Sequence, residues 1–233
     1  MSERHIVAFG GMREHERTPH PLLTYVLELS GRARPKVAFL PTARGDCAEA
    51  IAIFEARLPA ELAERSHLAL FDRRIEDLRA YLLDQDVIWV SGGNTANMLA
   101  IWRVHGVDAI LREAWEAGIV LCGGSAGSLC WFEDGTTDSF NLERLHPLRD
   151  GLGFLPGTHS PHYDGEVQRR PLYHAMIAEG FGAGIAIDDD AAAHYIGTDL
   201  AAVVSARPGA TAYWVERTDD GAVRETPLEA RAL

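Results

Sequence analysis

Cysteine is scarce in this chain: Cys47, Cys122 and Cys130 are its three, and they form neither a close pair nor a metal knuckle. So sparse and odd a set argues against a disulfide-built secreted fold and suits a reducing compartment. No stretch approaches the roughly 18 consecutive apolar residues of a membrane-spanning helix, and the leading MSERHIVAFGG has no signal-peptide architecture. The cytoplasm is therefore the expected location. Basic charge is short as well, with 22 Lys and Arg against 34 Asp and Glu and a formal net charge of −12. Without a basic block to follow a phosphate backbone, neither nucleic acid nor an anionic membrane is an expected partner. The histidines lack the H-E-x-x-H type of ligand spacing, so no metal is expected. Gly10-Gly11 falls short of the full dinucleotide fingerprint, so no nucleotide cofactor is expected either.

What the chain does have is enough apolar residue, 47% of 233, to bury a full core. With no repeat and no low-complexity linker, residues 1–233 read as a single α/β domain. Continuous apolar runs at His5 to Gly10, Lys36 to Leu40, Asp86 to Val90 and Gly118 to Cys122 read as strands buried on both faces. Helical patterns lie between them, over Pro21 to Leu29, Asp46 to Ala63 with a break at Pro59, Ile75 to Leu83, Ala96 to Val104 and Val107 to Ala117. His67 to Phe71 is a shorter strand candidate. This alternation predicts a mostly parallel central sheet, with reactive groups outside its carboxyl ends. Phe132 to Gly157 is rich in Asp, Gly, Thr and Pro and reads as an irregular, functional stretch. A helix over Gln168 to Glu179, a strand at Gly184 to Ile187 and short late strands follow, with Asp219-Asp220-Gly221 turning a β-hairpin near the carboxyl terminus.

The stretch Leu121 to Leu129, LCGGSAGSL, reads as a buried strand, a sharp turn with Ser125 at its apex, and a helix. Small residues on both sides let the backbone double back and expose the hydroxyl, as in a nucleophile elbow. The plainer reading is a glycine-rich turn that binds an anion or merely turns. A serine nucleophile needs a base and an acid to orient it. Among the downstream histidines, His146, His174 and His194 sit in irregular, helical and strand positions, whereas Gly-Thr-His-Ser-Pro-His presents His159 and His162 in one loop; His162 is the preferred base and His159 the fallback. For the acid, Asp164 would share a strand face with His162. A buried strand delivers Asp188-Asp189-Asp190 at its end, unless these form a solvated acidic turn, and Asp138 serves either as an acid or as a turn cap. The turn Gly92-Gly93-Asn94, with Ala126, can supply two amide donors for an oxyanion, or can simply cap a helix.

Four motifs in order, Val90-Ser91-Gly92-Gly93-Asn94-Thr95, Gly123-Gly124-Ser125-Ala126-Gly127-Ser128, Ser160-Pro161-His162-Tyr163 and Gly184-Ile185-Ala186-Ile187-Asp188-Asp189-Asp190, resemble the peptidase E and cyanophycinase family of serine peptidases, peptidase family S51. The resemblance spans about Asp86 to Asp190. It implies a three-layer α/β fold related to class I glutamine amidotransferases, with Ser125 as nucleophile, His162 as base, and the Gly93 and Ala126 amides as the oxyanion hole. The family's third member is usually a glutamate at the end of the late strand; here that position is Asp189, one methylene shorter, and Asp138 falls where the family carries another acidic residue. Members of this length, nearest to the intracellular dipeptidase E-like ones, cleave dipeptides or short peptides with an amino-terminal aspartate. That specificity asks for cationic or amide groups, for which Asn94, Arg169 and Arg170 are the candidates, and for an acid near the free amine, for which Glu166 is; the charged ones otherwise form surface salt bridges. A cyanophycinase-like specificity and an inactive small-molecule-binding module are the competing readings. Amidotransferase chemistry ordinarily places cysteine at the elbow. A short peptide is the expected partner, and monomer or homodimer is open.

Overall fold

A computed structural model describes residues 3–233. The first half alternates as its pattern requires: β1 (His5–Phe9), α1 (Pro21–Leu29), β2 (Lys36–Leu40), α2 (Ala48–Arg57), β3 (Glu64–His67), α3 (Leu78–Leu83), β4 (Val87–Val90), α4 (Thr95–His105), α5 (Val107–Ala117), β5 (Val120–Gly124) and the four-residue α6 (Ala126–Leu129). Strands β3, β2, β4, β5 and β1 lie side by side and parallel in that order. Their residues alternate between two apolar layers. Val7, Phe9, Phe39, Trp89 and Cys122 pack with α1 and with Phe54 of α2 on one face. Ile6, Ala8, Leu40, Ile88 and Leu121 pack with Leu82, Trp102, Leu111 and Trp115 of α3, α4 and α5 on the other. Burial on both faces is why these strands read as unbroken apolar runs.

The second half is β6 (Phe132–Thr137), β7 (His146–Arg149), β8 (Leu155–Ser160), α7 (Arg169–Ala178), β9 (Gly184–Ile187), β10 (Ala191–Ile196), β11 (Asp199–Ser205), β12 (Ala212–Arg217), β13 (Val223–Pro227) and β14 (Ala230–Ala232). Strands β10, β11 and β14 continue the first sheet beyond β1, giving eight strands. The others build a second, six-stranded sheet in the order β13-β12-β9-β8-β6-β7, with β6, β8 and β9 parallel. One side of it joins the apolar cluster beneath the first sheet through Phe132, Leu155 and Ile185. On the other side Tyr173 and Ile177 of α7 pack against Ala186 and Val215.

Two expectations change. The stretch expected to be irregular, Phe132 to Gly157, contains two whole strands and the start of a third. Its Asp and Gly content hides β6, whose buried Gly135, Thr136 and Thr137 fit a pleat, and β7 tolerates Pro147 because it is the sheet's edge strand. The strand expected at His67 to Phe71 lies earlier, at Glu64–His67, and is polar because it too is an edge. Beyond it the amides of Leu70 and Phe71 donate to the Asp46 carboxylate (2.5 and 3.0 Å), which takes those donors out of any ladder. The helix begun near Asp46 stops at Arg57, before Pro59. The β12–β13 pair is the expected hairpin, with Gly221 at φ +86° in its turn.

Candidate active site

Strand β5 ends in the Gly-Gly-Ser turn. Ser125 has φ 57° and ψ −118°, a conformation that side-chain-bearing residues seldom adopt. Close packing holds it there. A Cβ on Gly127 would lie 2.3 Å from the Val90 carbonyl oxygen, so only glycine lets the turn press against β4. The Ser125 carbonyl accepts from the amides of Ser128 (3.1 Å) and Leu129 (2.9 Å) and from the Ser128 hydroxyl (2.8 Å). Among the described residues, the amides of Ala126 and Gly93 donate to no acceptor within the chain.

The second sheet supplies the partners. His162 follows β8 and Asp189 follows β9. The imidazole Nδ1 meets Asp189 Oδ1 at 2.6 Å, which leaves Nε2 as the nitrogen free of that pairing. The other Asp189 oxygen accepts from Arg13 Nε at 3.0 Å. The Asp189 amide donates to Asp164 Oδ1 (2.8 Å), and Arg207 donates both to Asp164 Oδ2 and to the Asp189 carbonyl oxygen (2.9 Å). Burial acts to raise the Asp189 pKa, but the hydrogen bonds and charges of His162 and Arg13 outweigh it and hold the carboxyl below its ordinary value. Gly11 lies against this pair: a Cβ there would fall 2.2 Å from Asp189 Oδ1 and 2.6 Å from His162 Cε1.

The remaining candidates fall elsewhere. Asp164 does not share a strand face with His162, because the chain turns there with His162 at φ 52°; its carboxylate braces the Asp189 backbone instead. Asp138 lies on another surface depression, with Glu143 and Glu166. Asp188 receives the Thr211 amide (3.1 Å), and burial raises its pKa; Asp190 receives the Arg13 amide (2.9 Å) and faces His20 Nε2 at 3.4 Å. His159 is fully buried, with ring nitrogens 2.9 Å from the Ile185 carbonyl and 2.9 Å from the Ser128 hydroxyl, and burial lowers its pKa to about 3. It supports the elbow from beneath. His174 pairs with Glu225 (2.8 Å), His194 with Tyr25 (2.7 Å) and His5 (2.9 Å), and His146 stands edge-on to Phe140. Arg169 is buried and committed to Glu166 (2.7 Å) and the Thr136 carbonyl (2.9 Å); Arg170 pairs with Glu225 and covers the Tyr163 ring. Asn94 caps α4 through the Asn97 amide (2.8 Å) and donates to the Ser139 carbonyl (2.9 Å).

Ser125 and His162 line one cavity of about 340 Å³, together with Gly11, Gly92, Gly93, rings of Phe39, Phe54 and Trp89, and the side chains of Arg44 and Arg57. Arg169, Arg170, Glu166 and Asn94 are not on its wall. The profile of peptidase family S51 matches residues 6–203, a span that includes Ser125, His162 and Asp189. The chain belongs to peptidase family S51.

Within that family it is 44% identical over 232 residues, 99% of each chain, to the uncharacterized peptidase YgaJ of Bacillus subtilis (strain 168). It is 31% identical over 126 residues to peptidase E of Shewanella denitrificans, covering 50% of this chain and 53% of that one. Its fold is similar to the crystal structure of a peptidase from an acI-B1 Actinobacterium, with a TM-score of 0.70 at 18% identity over 98% of this chain and 95% of the other. Among the described residues of this S51 chain, no helix is long and apolar enough to cross a membrane, and no cluster of three or more His, Cys, Asp or Glu side chains could hold a metal ion. Sequence reasoning missed Arg13, Asp164 in its bracing role, and the ring-lined cavity with Arg57. Gly10-Gly11 was the one available signal, a backbone open to close approach, and it is there that Arg13 enters the site.

Proposed function

We propose that this S51 peptidase is a serine exopeptidase that hydrolyses dipeptides or short peptides through an acyl-enzyme. Ser125 Oγ attacks the scissile carbonyl carbon as His162 Nε2 takes its proton. Asp189 holds the imidazole in the tautomer that leaves Nε2 free to accept. The amides of Gly93 and Ala126 donate to the oxyanion of the tetrahedral intermediate. His162 then passes its proton to the leaving amine, the C–N bond breaks, and water repeats the sequence on the ester to release the acid and regenerate Ser125. The observation that carries this reading is the 2.6 Å contact of Asp189 with His162, which lines the same cavity as Ser125.

A fluorophosphonate tests it. Stoichiometric labelling of Ser125, abolished in Ser125→Ala and in His162→Ala with the fold retained, is the expected result; labelling that survives His162→Ala removes that residue as the base. An amino-terminal aspartate is the specificity implied by the resemblance to peptidase E, and the cavity arginine available for its side-chain carboxylate is Arg44, not Arg169 or Arg170. A panel of aspartyl, arginyl and glutamyl dipeptides separates this from a cyanophycinase-like preference.

A further inference from the structure

We infer that the cavity beside Ser125 selects the carboxy-terminal residue of a dipeptide, holding an apolar side chain against α2 and reading its free carboxylate with Arg57. The inference rests on the peptidase reading above and adds to it a substrate class. Helix α2 presents Ala50, Ile53, Phe54 and Arg57 to the cavity, the i, i+3, i+4 and i+7 positions of one face. Opposite them stand Phe39, stacked on Phe54 at 4.6 Å between ring centroids, and Trp89, edge-on to both at 5.7 and 5.4 Å. On a helix face whose Ala50 and Phe54 pack into the core, Ile53 is 37% exposed and adds an apolar side chain to the cavity wall.

At the end of that wall is a cation without a partner. Arg44 is hydrogen-bonded to Glu49 (3.2 Å) and Arg13 to Asp189, whereas Arg57, half-buried, has no hydrogen bond or ion pair within the described residues. Its guanidinium offers five N–H donors in a fork that matches a carboxylate. About one helical turn, roughly 5.4 Å, separates Ile53 from Arg57. An amino acid's side chain and its own α-carboxylate leave the same carbon, so a single residue can reach wall and cation together, and only a carboxy-terminal residue has both. In a dipeptide that residue is the leaving group, next to the bond that Ser125 would attack. A longer peptide would bring an uncharged amide to Arg57 and leave the cation unpaired, so the same contact limits substrate length.

The test is kcat/KM on dipeptides whose first residue is aspartate, alanine or arginine and whose second is leucine, phenylalanine or glycine, each as free acid and as carboxy-terminal amide. Leucine and phenylalanine are expected to exceed glycine by about tenfold or more, and each acid to exceed its amide by about tenfold or more. Arg57→Gln, with unchanged thermal melting, is expected to bring the acids down to the level of the amides while leaving the amides nearly unaffected. Ile53→Ser is expected to narrow the leucine-to-glycine ratio and spare the acid-to-amide ratio. Equal rates for leucine and glycine, equal rates for acid and amide, or an equal loss on both in Arg57→Gln would overturn the inference while leaving the nucleophile intact. Cleavage that persists in Ser125→Ala would instead overturn the peptidase reading on which it rests.

Discussion

Two sheets meet at the site, and they hold their contributions by different means. The eight-stranded sheet delivers Ser125 by packing: a glycine pressed to within van der Waals contact of β4, a four-residue helix, and amide donors on the serine's own carbonyl. The six-stranded sheet delivers His162 and Asp189 on the ends of β8 and β9, and there the positioning is electrostatic. Arg13, Asp164 and Arg207 surround Asp189, and Asp190 with His20 continues the network. Packing is indifferent to pH, while a network of carboxylates and cations is titratable and can be dismantled one charge at a time. The serine should therefore tolerate changes of solution conditions that unsettle its partners.

The largest break in that comparison is Asp189→Asn. The amide keeps the shape of the carboxylate but can donate to Nδ1, which puts the imidazole proton on Nε2 and leaves that nitrogen unable to accept the serine proton in the proposed mechanism. Turnover is expected to fall by roughly 10⁴-fold with little change in KM; a loss under tenfold in steady-state kinetics would assign the orienting role to another carboxylate. Gly11→Ala attacks the same pair sterically, since the new Cβ would fall 2.2 Å from Asp189 Oδ1. Displacing His162 and Asp189 by even part of an ångström is expected to cost on the order of 10²-fold in kcat, read together with slower fluorophosphonate labelling of Ser125.

Arg13→Gln removes one charged donor from Asp189. Because Arg13 is about half exposed, solvent screens the contact, so the expected loss is smaller, roughly fivefold in kcat, or about 1 kcal/mol. The sign of its pH effect follows from the charge. Arg13 helps to hold the Asp189 pKa down, so without it the acid limb of the rate profile moves to higher pH. Arg13→Lys should restore part of the shift, which a purely structural defect would not.

A separate prediction sharpens the comparison from the side of stability. Each sheet buries a histidine: His159 in β8, lowered by burial to about 3, and His194 in β10, lowered by burial to about 4. Both folded-state values lie below the ordinary value near 6.5, so as pH falls the unfolded chain takes up protons first. Stability is then complete above about pH 6.5 and declines from there toward pH 3 to 4, by at most about 1.4 kcal/mol per pH unit for each histidine. Urea midpoints at pH 7, 6 and 5 measure it, and a midpoint that does not move would mean that these rings are already hydrated.

Legibility along the chain follows the same division. The strands β1, β2, β4 and β5, the helices α1 and α5 and the Ser125 turn were readable from consecutive residues, because a doubly buried strand must be apolar throughout and a sharp turn must be small on both sides. Strand β6 was not, because its Asp134 and Gly135 resemble a loop until β7 and β8 pair with them. Arg169, which resembled a binding cation, is instead a buried strut between α7 and the Thr136 carbonyl, a role its position after Gln168 does not announce.

Sequence by itself determined the alternating α/β half, the elbow with its serine, and a short set of histidines and acids, since each depends on residues adjacent in the chain or spaced by one helical turn. Only the tertiary structure decided which of them meet. His162 and Asp189 are 27 residues apart, and Arg13 is 176 residues from the carboxylate it braces. Arg57 became a candidate for substrate recognition because, among the described residues, the fold gives it no hydrogen-bond or ion-pair partner and places it on one cavity with three rings from two strands and a helix. Such contacts depend on how strand ends converge between two sheets, and that convergence is set by the packing of the whole core.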